Sequence, residues 1–494
     1  MLRGISQAKL PLLDALRDCV NHVHAPFYAP GHKGGKGIAK PLADLLGKAV
    51  FAADLPELPE LDNLFAPEGV ILAAQELASE AFGADFTWFL ANGSTCGIMA
   101  AILATCDHGE KIILPRNVHK SVISGLILSG AIPIFIDPVY DANWDIACCI
   151  TSEDLAVTLA QNPDAKAVLV VYPTYHGVCG NLEAIAQVTH QYHIPLLVDE
   201  AHGAHFNFHP DLPRTALSCG ADLTVQSTHK VLGAMTQASM LHVQGNYIDI
   251  SRLDRALQLV QSTSPSYLLL ASLDAARQQM ALDGLELMTR TLILAELARS
   301  RISEVSGFSV LELLNTPGFV ALDRTRLTVK VSDLGLSGFA VDEMLNQELG
   351  VTAELPMLQH LTFIISLGNT QVDIDRLVEA LLTISHRYLT IKNAEKMPNQ
   401  SEKSPPLPLP PSPPLPLSPR EAFFAATEVV LVDRVCDRIS AELICPYPPG
   451  IPILMPGEII TPQAVEYLQE VLILGGCITG CSDRTLKTFK VVKN

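Results

Sequence analysis

Between Gly69 and Val243, short β-rich apolar runs alternate with stretches whose apolar positions recur every three or four residues. The first pattern marks strands and the second marks helices, so the alternation predicts strands joined by right-handed helical crossovers in a mainly parallel sheet. Seven strands are expected, at Phe86–Leu90, Lys111–Leu114, Ile132–Ile136, Ala167–Val171, Pro195–Val198, Asp222–Val225 and Met240–Val243. Several are apolar throughout, which places helices on both faces of the sheet. In α/β folds of this kind ligands bind beyond the carboxyl ends of the strands.

After Pro265 the pattern is helical through Ala298, and mixed periods resume from Phe308 to about Ile391, as expected of a smaller α/β domain. Ser404–Pro419 contains nine prolines. Proline lacks the amide donor of a regular ladder, so this stretch predicts an extended polyproline-type tether, with a PxxP-reading partner as the alternative use. The expected layout is an N-terminal segment at 1–40, a large domain at 41–300, a small domain at 301–395, a linker at 396–420 and a C-terminal domain at 421–494.

Composition narrows the function. With 48% apolar and 17% charged residues over 494 positions, the chain has the material for large cores and is not generally disordered. Its 34 Lys and Arg against 52 Asp and Glu give −18, a field that repels nucleic acid and anionic lipid and attracts cationic small molecules. No apolar run reaches the roughly 18 to 20 residues of a membrane span. The opening MLRGISQAKLPLLDALRDCV has charges at helical spacing and no secretory-signal pattern, so a cytoplasmic setting is expected. The 11 cysteines, without a CxxC pair, read as small buried hydrophobes in a reducing compartment, and the lone CxxxC of Cys477 and Cys481 as filler.

Three segments carry chemistry. Strand Phe86–Leu90 runs into Ala91-Asn92-Gly93-Ser94-Thr95-Cys96-Gly97 and then a helix, where small residues, two hydroxyls and a helix N-terminus can cradle a phosphate, although ordinary turn and capping chemistry uses the same residues. Strand Pro195–Val198 leads to Asp199-Glu200-Ala201-His202-Gly203-Ala204-His205. An acid there can keep a heterocyclic nitrogen protonated. The crowding of Asp199, Glu200, His202, His205 and His209 raises a metal site as the alternative, but strand side chains alternate in direction and consecutive ones rarely share a centre. The next strand leads into Ser227-Thr228-His229-Lys230, where a lysine in an apolar setting can act as a Schiff-base nucleophile. Phosphate cradle, acid and lysine, in this order, are the three grips that pyridoxal 5'-phosphate requires. Tyr28–Lys36 is glycine-rich but lacks Walker spacing, so ATP binding is not expected.

The phrases YAPGHKGG (Tyr28–Gly35), LDNLFAPEGVI (Leu61–Ile71), ANGSTCGI, RNVHKS (Arg116–Ser121), DEAHGAHF, QSTHK and YPPGIPILMPGE together resemble the class-I ornithine/lysine/arginine decarboxylase family across most of the chain. The resemblance implies the pyridoxal-phosphate-dependent transferase-like fold and removal of the α-carboxylate from a basic amino acid as carbon dioxide. It gives Lys230 the role of the Schiff-base lysine, Asp199 that of the pyridinium partner, and His119 that of an imidazole stacked on the cofactor. Ser94, Thr95, Ser227 and His229 become phosphate ligands, His202 a neighbour of the ring, and Thr263, in Gln261–Pro265, a hydroxyl reaching the phosphate of a second subunit. A homodimer or higher homo-oligomer with shared sites follows, with no nucleic-acid or membrane partner and no metal. Glu458, in the PGE phrase, is a candidate for the substrate's distal cation, with capping or solvation as its other use.

The Asp54–Glu60 stretch departs from the family's usual phrase, and the long N-terminal wing of larger members is not expected here. Arginine is favoured as substrate over lysine and ornithine. Two readings stand as rivals: an aminotransferase on the same scaffold, and a catalytically silent binding protein.

Overall fold

All seven expected strands form in the structure, a computed structural model that describes residues 6–22, 24–394, 409–447 and 450–493. They are β1 (Phe86–Leu90), β2 (Lys111–Pro115), β3 (Ile132–Ile136), β4 (Ala167–Val171), β5 (Leu196–Asp199), β6 (Leu223–Gln226) and β7 (Ser239–Val243). Four have ends one residue away from the apolar pattern, because backbone pairing continues past the last hydrophobic side chain. Asp199 is thereby the final residue of β5, aligned with Val225 of β6. The main sheet has seven strands and is mixed, since β7 pairs antiparallel with both β1 and β6.

The chain divides into two units, Met1–Thr105 with Pro195–Met288, and Cys106–Ile194 with Thr289–Asn494. In the first, the strand order is β1-β7-β6-β5, with β5 and β6 parallel. Helix Gly93–Thr105 follows β1 and packs against Ile250–Val260, which buries Leu253, Ala256 and Leu257. A buried polar chain crosses the strands. Thr87 Oγ1 meets His242 Nδ1 at 2.8 Å, His242 Nε2 meets Gln226 Oε1 at 3.2 Å, and Gln226 Nε2 donates to Glu200 Oε2 at 2.8 Å. The two inner members, His242 and Gln226, are bonded at both ends, which offsets the cost of burying polar groups in a sheet core.

In the second unit the order is β4-β2-β3, all parallel. The 301–395 stretch forms an antiparallel sheet of Ser309–Val310, Arg326–Lys330, His360–Ile364 and Leu355–Pro356, backed by helix Gln371–Ala394 through Leu377, Leu381 and Ile384. The last segment builds its own core of Val435, Ile444, Leu454, Leu468 and Phe489 around helix Pro462–Ile473. Residues 404–408 of the proline stretch lie outside the described residues. From Leu409 onward the stretch has no regular structure but is docked: Leu409 packs on that last core, and the Pro414 carbonyl accepts from Ile459 N at 2.9 Å. Among the described residues no helix is long and apolar enough to cross a membrane.

Candidate active site

The turn after β1 is fixed before any hydroxyl is placed. Ala91 N donates to Gln261 Oε1 at 3.0 Å, and the Ala91 carbonyl accepts from Gln237 Nε2 at 2.6 Å. Gly93, at φ +75°, turns the chain into helix Gly93–Thr105. At Gly97 a Cβ would stand 2.7 Å from both Leu90 Cδ1 and Val225 Cγ1, so only glycine lets this helix lie so close to β1 and β6. The first turn therefore presents unpaired amides and Ser94 beyond the strand ends, and Ser227 Oγ donates to Ser94 Oγ at 2.7 Å. Thr95 is exposed on the same turn. Hydroxyls and a helix N-terminus of this kind suit an anion.

Asp199 ends β5 buried, with Oδ1 accepting from Ala201 N at 3.2 Å. Burial raises its pKa, while the Lys230 charge and the Ala201 amide pull the other way. A carboxylate in this position is a strong acceptor for a cationic N–H. Glu200, one residue on, serves the fold. Its oxygens accept from Ala216 N at 2.8 Å, Thr224 Oγ1 at 2.9 Å and Gln226 Nε2 at 2.8 Å. That use of Glu200 takes it out of the metal alternative, and no cluster of three His, Cys, Asp or Glu among the described residues could hold a metal.

Lys230 lies in the one-turn helix Thr228–Val231 directly after β6, its amide donating to Ser227 O at 3.0 Å. Lys230 Nζ is 2.9 Å from Nε2 of His202, which is itself buried. The pair holds the amine and gives a departing proton an acceptor. His229 Nδ1 sits 2.9 Å from the Ala238 carbonyl. A carbonyl only accepts, so Nδ1 carries the proton and the neutral ring leaves Nε2 bare. Burial lowers the His229 pKa, Ala238 opposes this and Lys230 adds to it. His229 can therefore donate to a phosphate from Nε2 only when its ring takes up a second proton, a form that a neighbouring anion favours.

Ser94, Thr95, Asp199, His202, Ser227, His229, Lys230 and Thr263 all belong to the first unit, and His119 to the second. Thr263 is exposed in a segment tied to the Ala91–Gly93 turn through Gln261 and through Ser262 N, 3.5 Å from Asn92 Oδ1. His119 caps helix Lys120–Ser129, with Nδ1 accepting from Ser121 N at 3.2 Å. The expectation that Glu458 meets a substrate cation is corrected: Glu458 is buried and bonded to Arg116 Nε at 3.2 Å, Arg116 Nη2 at 3.0 Å and Met455 N at 2.9 Å. A guanidinium of the chain itself occupies the place given to the substrate's.

Sequence reasoning missed this Arg116–Glu458 pair, the glutamine pins on Ala91 and the Glu200 network. Arg116, Glu458, Glu200 and Gln226 at least fall inside the quoted phrases, whereas Gln237, Gln261, Ala216 and Thr224 carried no signal, since each contact joins residues from different elements. The altered Asp54–Glu60 stretch is linked to the glycine-rich phrase by His32 Nε2 and Asp54 Oδ2 at 3.0 Å.

Comparison with known proteins places the chain in a family. Residues 10–320 match the model of the Orn/Lys/Arg decarboxylase major domain, and 413–474 that of the Orn/Lys/Arg decarboxylase C-terminal domain. The arginine decarboxylase of Bacillus subtilis is 40% identical over 491 residues, covering 99% of each chain. That of Bacillus anthracis is 38% identical over 492 residues, covering 99% of this chain and 98% of its own. Among solved structures, the Francisella novicida lysine decarboxylase superposes with a TM-score of 0.84 at 25% identity, over 98% of this chain and 81% of that one. The expected α/β transferase-like fold is the one observed.

Proposed function

The chain belongs to the Orn/Lys/Arg decarboxylase family and is an amino-acid decarboxylase; within that family we propose that its substrate is arginine and that its cofactor is pyridoxal 5'-phosphate carried on Lys230. The observation that carries the substrate is the name shared by relatives 38–40% identical over nearly the whole chain.

The donor set fits the cofactor. Ser94 and Ser227, 2.7 Å apart at a helix start, suit its phosphate, with Thr95 on the same turn and His229 two residues after Ser227. Asp199, whose ionised form is penalised by burial, is relieved by a protonated ring nitrogen. When bound, this cofactor supplies a cationic ring into which the electrons left by departing carbon dioxide can flow.

The chain's residues do the rest. Asp199 keeps a proton on the ring nitrogen by accepting its hydrogen bond. His202 orients Lys230 Nζ and takes its proton when the amine must attack a carbonyl. The proton delivered to Cα comes from Lys230 Nζ or from His119, whose Nδ1 is occupied by Ser121 N and whose proton therefore sits on Nε2. Thr263 is open to a second copy of the chain, in keeping with a homodimer or larger homo-oligomer with shared sites. Eleven cysteines without a CxxC pair suit the cytoplasm.

Incubating the protein with pyridoxal phosphate and arginine, lysine or ornithine, and identifying the amine, tests the substrate. Carbon dioxide and the amine of arginine are expected as the main products, and a keto acid would instead indicate transamination. Lys230→Ala is expected to lose turnover and borohydride-trappable cofactor together, and retention of either rejects the assignment.

A further inference from the structure

The residues on either side of His119 are both gripped by one segment of the C-terminal region. On one side, Arg116 Nη1 donates to Pro452 O at 2.7 Å and Nη2 to Ile453 O at 3.2 Å, while Nε and Nη2 form a fork onto Glu458 at 3.2 and 3.0 Å. On the other, Lys120 N donates to the Gly450 carbonyl at 3.3 Å, and the Lys120 ammonium stands 5.5 Å from the centre of the Tyr447 ring. Gly450 also borders the imidazole, for a Cβ there would lie 3.7 Å from His119 Cδ2 and Nε2. The guanidinium of Arg116 sits 5.7 Å from the centre of the Phe135 ring, so the fork is held from a further direction.

Arg116 and Glu458 are 342 residues apart and both buried. A buried ion pair gains little stability over an apolar pair of similar shape, because desolvation offsets the attraction. What such a pair does supply is fixed geometry: a planar fork admits few orientations.

We propose that Arg116 and Glu458 are positioning residues, which together with the Gly450 carbonyl clamp both ends of the Arg116–Lys120 stretch and so set the orientation of the His119 imidazole. The clamp makes the C-terminal region part of the catalytic apparatus. This inference rests on the reading of His119 as a cofactor-facing imidazole, and its test separates the two.

Glu458→Gln keeps the side-chain shape and removes the charge. In the full-length protein without cofactor, carrying nitrogen-15 histidine and with His119 assigned by its loss in His119→Gln, the His119 ring resonances are expected to move in Glu458→Gln. In the cofactor-loaded enzyme kcat for arginine is expected to fall about tenfold, with KM within about threefold and a weaker visible circular dichroism band. Arg116→Lys should give the same pattern, since a point charge does not replace a fork, and it carries the test alone should Glu458→Gln fail to fold. His119 resonances that stay in place in a folded variant, or a kcat within twofold of the parent, overturn the clamp. Full activity in His119→Gln would instead remove the assignment of His119, while the resonances still report whether the clamp sets the ring.

Discussion

Glu200 was legible in the sequence as an acid at a strand end and illegible as to purpose, because its neighbour Asp199 offers the same chemistry. The structure separates them by what each side chain reaches. Asp199 has one backbone amide, whereas Glu200 is bonded to Ala216, Thr224 and Gln226. Burial pushes the Glu200 carboxyl from 4.5 up to about 7, although the Gln226, Ala216 and Thr224 donors favour its charged form. Its folded pKa is above the unfolded value, so the stability it contributes is complete below about pH 4.5 and lost as the pH rises through 7. At about 1.4 kcal/mol per pKa unit the loss is on the order of 3 kcal/mol. Glu200→Gln holds the neutral form at every pH. Denaturant midpoints taken between pH 5 and pH 8 should accordingly fall less steeply in this variant than in the parent, and equal slopes would show that Glu200 does not titrate as argued.

At the scale of elements, the apolar periods placed every strand of the main sheet to within a residue at each end, because burial of alternating or continuous apolar side chains is a local property. What the periods could not mark was how helices begin. Helix Val70–Phe82 starts after a loop in which Asp62 accepts from the backbone amides of Asn63, Glu68, Gly69 and Ile71 at 2.8–3.1 Å. Burial works against the Asp62 carboxylate, but these amides outweigh it and hold its pKa below the usual carboxylate range. Asp62 itself adopts φ +69°, a conformation few side chains accept without compensation. Asp62→Ala removes the acceptor and keeps the strain, and should cost about 2 kcal/mol, at the upper end for a capping residue. Asp62→Gly relieves the strain, loses the same bonds, and should lie between the two. Thermal unfolding of the three proteins checks the order; an alanine variant as stable as the parent would remove Asp62 as the organiser of this entry.

For the whole molecule, the formal charge of −18 gives a cationic substrate an attractive field that salt should weaken. The Debye length shortens from about 30 Å at 0.01 M to about 8 Å at 0.15 M ionic strength. KM for arginine is expected to rise about two- to threefold over that range with little change in kcat, measured by steady-state release of carbon dioxide; an unchanged KM would mean that only charges next to the substrate matter. Lys230, Asp199 and the serines could be proposed from the sequence because each lies at or just past the end of a strand whose period is visible, and strand ends are where α/β folds place ligands. The sequence by itself determined the strands, the order of the chemistry-bearing turns and the family phrases, since all of these reside in contiguous residues. Only the tertiary structure decided that β7 runs antiparallel, that Glu200 and Glu458 are committed to the protein, and that Arg116 is the partner of the latter. These depend on which side chains meet across tens to hundreds of residues, and local periodicity carries no information about such encounters; packing and the need to satisfy buried charge select them.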